Sequence, residues 1–269
     1  MSTCDLKTAH LLEKATGIQL IRATGKNHFT FPMMMDTSPY DNNDVRLAMK
    51  YSVDREQLLK TVLHGYGALG NDHPIAPVMR YHASELPQRE YDPEKARYHI
   101  KKAGLEGHIF QLRTAQDLYP GAVDAAVLYK EHAAKAGINI DVVIESKDGY
   151  WKQVWNKKPW TACYWSGRPT EDFMFTTTYA TESAWNDTNW KHERFNKLLV
   201  EARAELDNVK RKRLEMYVEM QQIVRDEGGV VIPIFGDFVD AAKNRIEFEN
   251  LSGHYEFDGS RCAERWWFA

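Results

Sequence analysis

Apolar positions recur at helical spacing in several stretches of the chain. Val45, Leu47, Ala48 and Tyr51 mark a first helix over 43–51, and a second follows Asp54 and stops at Gly65. The same rhythm predicts helices near 5–15, 119–135, 149–155, 192–206 and 209–226. Strict alternation over His108–Thr114 and Ile138–Ile144 predicts half-buried strands. Apolar runs at Ile18–Ile21, His28–Met34, Thr161–Trp165 and Val230–Phe235 predict buried ones. Gly17, Gly104, Gly137 and Gly228-Gly229 fall where these elements must stop. The tail, Ile246–Ala269, reads as short strand-like pieces without a helix.

Local chemistry sharpens the boundaries. Asp54 caps the turn after it, with Gln57 placed to close a capping box. Tyr91-Asp92-Pro93-Glu94 opens a helix with proline at its first position. Gly65 to Pro77 is dense in Gly, Asn and Pro and predicts a long irregular loop. Strand, helix and strand over 108–144 imply a parallel crossover, so the fold class is α/β.

Composition excludes several classes of function. The 269 residues are 43% hydrophobic, enough for a sizeable core. With 35 basic against 38 acidic residues the net charge is −3, which gives no general attraction to nucleic acid or anionic membranes. No apolar run reaches the length of a membrane span, and the start, Met1-Ser2-Thr3-Cys4-Asp5, does not read as a secretory signal. Cys4, Cys163 and Cys262 show no metal-ligand or disulfide spacing. Among eight Trp, those at 151, 155, 160, 165, 185 and 190 stand in polar surroundings, where large rings suit either clefts or cores.

Catalytic patterns are missing. There is no HExxH, no GxSxG elbow, no phosphate-binding glycine loop, and the His residues near 64, 73 and 82 match no tight metal spacing. The acidic pairs Glu171-Asp172 and Asp226-Glu227 lack a nearby nucleophile and read as a helix start and a solvated helix end. We therefore expect no catalytic residue, cofactor or metal, with an α/β hydrolase-like enzyme of unassigned residues as the competing class.

Several segments together resemble the family 5 extracellular solute-binding proteins, the peptide-, oligopeptide- and nickel-binding partners of bacterial ABC importers. They are Asn43-Asp44-Val45-Arg46-Leu47-Ala48-Met49-Lys50-Tyr51-Ser52-Val53-Asp54-Arg55, Gly65-Tyr66-Gly67, Tyr91-Asp92-Pro93-Glu94-Lys95-Ala96 with Ala103-Gly104, Tyr164-Trp165-Ser166-Gly167, and Val231-Ile232-Pro233-Ile234. The resemblance implies a type II periplasmic-binding-protein-like lobe, a mixed sheet flanked by helices with partial strands of a second lobe. On that reading, residues 1–38 are the remnant of lobe one and its hinge, 39–235 form the ligand-holding lobe two, and 236–269 return to lobe one. It further implies capture of a peptide or similar solute in an interlobe cleft for an ABC permease, and a periplasmic parent protein whose signal and first lobe are absent from this chain.

In the family the loop after the tryptophan strand meets the ligand. Tyr164, Trp165, Ser166, Gly167 and Arg168 are therefore the expected ligand-binding residues, with Asp72 and His73 of the Asn71-Asp72-His73 loop, and Trp185 and Asn186 of the Trp185-Asn186-Asp187 stretch, as weaker candidates. Arg168 stands where peptide-binding relatives carry an acidic side chain. Two readings follow: its guanidinium receives an anionic group of the ligand, or it caps nearby carbonyls while Glu171 or Asp172 supplies the acid.

Overall fold

The computed structural model describes residues 3–206 and 211–269. In chain order its elements are α1 (Leu6–Glu13), β1 (Ile18–Pro32), α2 (Asn43–Tyr51), α3 (Arg55–Val62), β2 (Gly67–Leu69), α4 (Pro93–Lys102), β3 (Ile109–Ala115), α5 (Ala122–Ala134) and β4 (Asn139–Glu145). There follow α6 (Tyr150–Gln153), β5 (Cys163–Trp165), α7 (Glu171–Thr178), α8 (Glu193–Ala204), α9 (Arg211–Glu227), β6 (Val230–Lys243), β7 (Ile246–Glu247) and β8 (Trp267–Phe268). The expected start of α9 at Val209 lies outside the described residues.

The sheet is mixed. β2, β6, β1 and β5 are neighbours in that order, each pair antiparallel. β3 and β4 pair in parallel, as the strand–helix–strand pattern requires. Single bridges from Met33 to Trp160 and from Arg113 to Thr161 tie the two groups together.

The two strands expected at 18–21 and 28–34 are one. β1 pairs with β6 from Ile18 opposite Lys243 to Pro32 opposite Val230, and a bulge between Ala23 and Asn27 carries it through the polar stretch that reads as a break. Gly25 sits in that bulge because a Cβ there would stand 1.8 Å from the Gly236 carbonyl oxygen. β6 likewise continues eight residues past the expected end at Phe235, since β1 supplies a partner throughout.

Both faces of the ribbon are covered, which explains the unbroken apolar run in β6. Val231 and Ile234 join a core with Phe29, Phe31, Leu58, Phe110, Tyr129 and Trp160. Val230, Ile232 and Phe235 join a second core built from α7, α8 and α9 around Phe175, Phe195 and Tyr217.

Caps follow the sequence with one change of partner. The Asp54 carboxylate accepts from the Gln57 N–H at 2.9 Å. Gln57 does not reach back to close the box. Its carbonyl oxygen lies 2.8 Å from His132 Nε2, and His132 Nδ1 accepts from the Asp54 N–H at 3.2 Å. An α5 imidazole thus replaces the glutamine, and α3 is fastened to α5. A helix follows the polar turn, α7, where Thr170 caps the Phe173 N–H and Glu171 and Asp172 occupy the favourable first turn. The tail is not wholly strand-like. Residues Phe257, Asp258 and Gly259 turn left-handed at φ of 50°, 60° and 70°, and a short helical turn spans Cys262–Arg265.

The Gly65–Pro77 loop is largely interior from Gly70 to Ala76, with Asp72 at its centre and fully buried. Its carboxylate takes Arg55 Nη2 at 2.8 and 2.7 Å, pairs with Arg89 Nε at 2.9 Å, and accepts from the Ile232 N–H at 3.0 Å. Burial alone would push the Asp72 carboxyl up, but the charges of Arg55, Arg89 and Lys50 outweigh it and hold it below its ordinary value. Asp72→Asn removes the only carboxylate paired with buried Arg55 among the described residues and one of the two paired with Arg89. We expect a loss of about 3–5 kcal/mol, read as a fall in the urea midpoint at unchanged slope; an unchanged midpoint would show that the network does not support the fold.

Candidate functional site

A cleft of about 510 Å³ lies over the β1–β6 ribbon. Its floor is Asn27 and Phe29 of β1 and Gly236 to Val239 of β6. Its walls are residues 3–7 at the start of α1, Val62 to His64 at the end of α3, Leu118 to Gly121 before α5, Tyr164 and Ser166 at β5, and Tyr255 and Glu256 of the tail. Elements from both ends of the chain and from its middle therefore meet around the ribbon. Aromatic rings supply much of the surface, with Phe29 and Tyr119 stacked at 4.3 Å and 20°. Asp5, Asp124, Asp237, Glu256 and Lys7 are among its lining residues; the Asp5 carboxylate caps α1 and that of Asp237 is paired with Arg22.

The sequence-derived candidates divide into three groups. Tyr164 and Ser166 line the cleft. Trp165 is buried behind them, and Gly167 presses the loop onto β1, where a Cβ would come within 2.5 Å of Lys26 Cβ. The Arg168 fork turns back on its own loop. Its Nη1 donates to the Ser166 carbonyl at 2.8 Å and the Gly167 carbonyl at 3.3 Å, and its carbon lies 5.7 Å from the ring centres of both Trp165 and Phe173. This is the carbonyl-capping arrangement, not a donor fork aimed into the cleft. The acid of that alternative is not free either: Glu171 accepts from the Tyr81 N–H at 2.8 Å and Asp172 pairs with Arg203 at 2.6 Å.

Trp185 is exposed and tilted against Trp165 at 5.9 Å. It belongs to a run of rings in which Tyr164 meets Trp151 at 5.6 Å, Trp151 meets Trp155 at 5.8 Å, and Trp155 meets Trp165 at 6.0 Å. Asp72, His73 and Asn186 are not brought to the cleft. Asp72 serves the arginine network, and Asn186 folds the turn before Trp190 through the Trp190 carbonyl at 2.8 Å and its N–H at 3.2 Å. His73 is buried 5.5 Å from His82, its Nδ1 without a partner.

Cleft residues that sequence reasoning missed are Asn27, Phe29, Tyr119 and Gly236 to Val239. Tyr119 reads from the sequence as the first residue of a helix over 119–135, but α5 begins only at Ala122, which leaves Tyr119 in the connection before it. The β1 and β6 residues carry no local sign, because only the pairing of two distant strands makes them a floor.

Comparison with known proteins fits this geometry. The sequence description of "Bacterial extracellular solute-binding proteins, family 5 Middle" matches residues 2–187. The chain belongs to that family. It is 26% identical over 261 residues to the dipeptide-binding protein of Escherichia coli K12, covering 90% of this chain and 48% of that protein. It is 26% identical over 239 residues to heme-binding protein A of Haemophilus influenzae, covering 84% and 43%. In fold it resembles the periplasmic binding protein DppA of Helicobacter pylori in complex with peptide STSA, with a TM-score of 0.82, 19% identity, and coverage of 95% of this chain and 52% of that one. The chain thus spans about half the length of the curated relatives it matches.

Two buried imidazoles in this family member set an acid limit. Burial holds His28 and His73 neutral and lowers each to about 3. Nearby charge adds to this, Arg168 acting on His28 and His82 on His73. The unfolded chain regains a value near 6.5 and so binds more protons below it. The stability these groups confer is complete above about pH 6.5 and falls on acidification, by up to about 1.4 kcal/mol per pH unit for each histidine. His28→Phe should flatten the fall of melting temperature between pH 7 and 5. An unaltered slope would remove His28 from the acid response.

Proposed function

We propose that the protein is the substrate-binding component of a bacterial ABC importer, acting in the periplasm and handing a captured peptide or similar small solute to a membrane permease. The observation that carries this is the aromatic, acid-lined cleft over the β1–β6 ribbon in a chain of the family 5 solute-binding proteins. Residues 3–38 and 236–269 supply the floor and the walls at residues 3–7 and at Tyr255 and Glu256, and 39–235 the remaining walls. This supports the reading of 39–235 as a second lobe with returning pieces of the first. Relatives named for dipeptide binding and a structural neighbour holding a tetrapeptide support the ligand class.

The charge around the cleft favours an ammonium over an anion. Arg168 spends its donors on its own loop, whereas Asp124 is exposed beside Tyr119 and Gly121, and Glu256 lies at the tail wall. A free peptide amino terminus meets that surface, and backbone groups near Ser166 can pair with an extended chain. No helix among the described residues is long and apolar enough to cross a membrane.

Thermal melting of the protein against a panel of di- and tripeptides tests the reading. At a hundredfold excess over Kd, binding adds about 2.7 kcal/mol and raises the melting temperature by roughly 5 °C. Tyr164→Ala should abolish the shift and Arg168→Ala should leave it. Peptide turnover without a shift would put an enzyme in place of a binder, and a shift lost in Arg168→Ala would restore an anion-receiving role to that side chain.

A further inference from the structure

The run of rings beside the cleft has a buried support that no sequence motif marks. Asp187 is 3% exposed, and one of its carboxylate oxygens, Oδ2, accepts from two indoles of different segments, Trp155 Nε1 at 3.0 Å and Trp165 Nε1 at 3.2 Å. Trp155 follows α6, and Trp165 lies on β5 between Tyr164 and Ser166, the two candidates that line the cleft. The other oxygen, Oδ1, is buried without a partner. A buried carboxylate with half its lone pairs unspent is costly, and this one is retained at the junction of the aromatic wall and the cleft loop.

We infer that Asp187 is a positioning residue for ligand capture, clamping the indoles of Trp155 and Trp165 in its ionised form and so fixing where Tyr164 and Ser166 stand in the cleft. The inference rests on the solute-binding reading above. An ionised acceptor grips N–H donors about twice as strongly as a neutral one. Protonation removes that charge, so the neutral form holds the two indoles less well.

The titration falls in a useful range. Burial pushes the Asp187 carboxyl up to about 7, and the two indole N–H donors limit the rise. The titratable groups facing it are the Cys163 thiol on β5 and the Tyr179 phenol after α7. Burial drives both upward, so both stay neutral while Asp187 titrates. The wall is therefore clamped above neutrality and loosened below it by a single proton.

Two readouts test this. The first needs no ligand: near-ultraviolet circular dichroism of the protein from pH 5 to 9 reports the packing of the coupled indoles. We expect a transition near pH 7 that Asp187→Asn abolishes and that Trp155→Phe, which keeps a ring but removes one donor, moves upward. The second is the affinity for a dipeptide, expected to fall about tenfold from pH 8 to 6 and to be low and pH-independent in Asp187→Asn. If Asp187→Asn fails to fold, the wild-type and Trp155→Phe titrations decide. A flat dichroism titration in the wild type, or a transition that Trp155→Phe leaves in place, overturns the inference. A transition present with no dipeptide bound at any pH supports the clamp and instead removes peptides from the proposed function.

Discussion

One carboxylate holds the molecule's parts in register. Asp72 sits where the Gly65–Pro77 loop passes beneath β6, and its oxygens bind α3 through Arg55, the 70–90 segment through Arg89, and the β6 backbone at Ile232. Arg89 goes on to Asp226 at 2.8 Å near the end of α9. Lys50, fully buried on α2, donates to the Arg225 and Gly228 carbonyls at 2.8 and 2.7 Å, supplying the orphan acceptors of the same helix end. Each charge on its own would be expelled from such an interior. Together they satisfy one another, and the irregular loop becomes a structural member whose residues cannot also be spent on ligand.

That fastening fixes the height of β6, and β6 fixes the cleft. The ribbon of β1 and β6 runs between the two large cores and out to a third small cluster of Cys4, Ala9, Val239 and Ala241 beside α1. At its bulge Arg22 pairs with Asp237, and Asp237 Oδ1 accepts from the Gly25 N–H at 3.2 Å. The kink is thus pinned by side chains where the floor of the cleft begins. Two cores hold the ribbon at one end and the small cluster holds it at the other, so the floor of the cleft is fixed along its length.

The sequence made the elements legible where a local signal exists. The Asp92-Pro93 helix start, the glycine stops at 104 and 137, and the alternation of β3 and β4 each depend on neighbours a few residues away. β1 was read as two strands because Thr24, Gly25 and Lys26 look like a break until Gly236 stands opposite. Asp72 and His73 were read as loop residues near a ligand, since density of Gly and Pro says that a segment is irregular and says nothing of its depth. Tyr164 and Ser166 came from family resemblance, whereas Asn27 and Gly236 needed the strand register. Asp187 was legible only as part of the weaker Trp185-Asn186-Asp187 stretch, because its role depends on two indoles some 20 and 30 residues upstream.

Buried titratable groups act on stability with opposite signs, and their balance follows from the directions alone. Between about pH 4 and 6.5 the unfolded chain carries protons on His28 and His73 that the native state refuses. Over much of the same range the native state keeps a proton on Asp187 that the unfolded chain has released. His82, His132 and His254, each lowered by burial, act in the same direction as His28 and His73, so stability rises with pH here, though less steeply than the histidines alone would make it. Above about pH 7 all these groups have the same charge in both states, and the curve flattens. Asp72, held below its ordinary value, contributes a fall only in stronger acid. The rise therefore ends where the histidines of the unfolded chain lose their protons, at about pH 6.5, and the Asp187 carboxylate that holds the two indoles ionises close above that point.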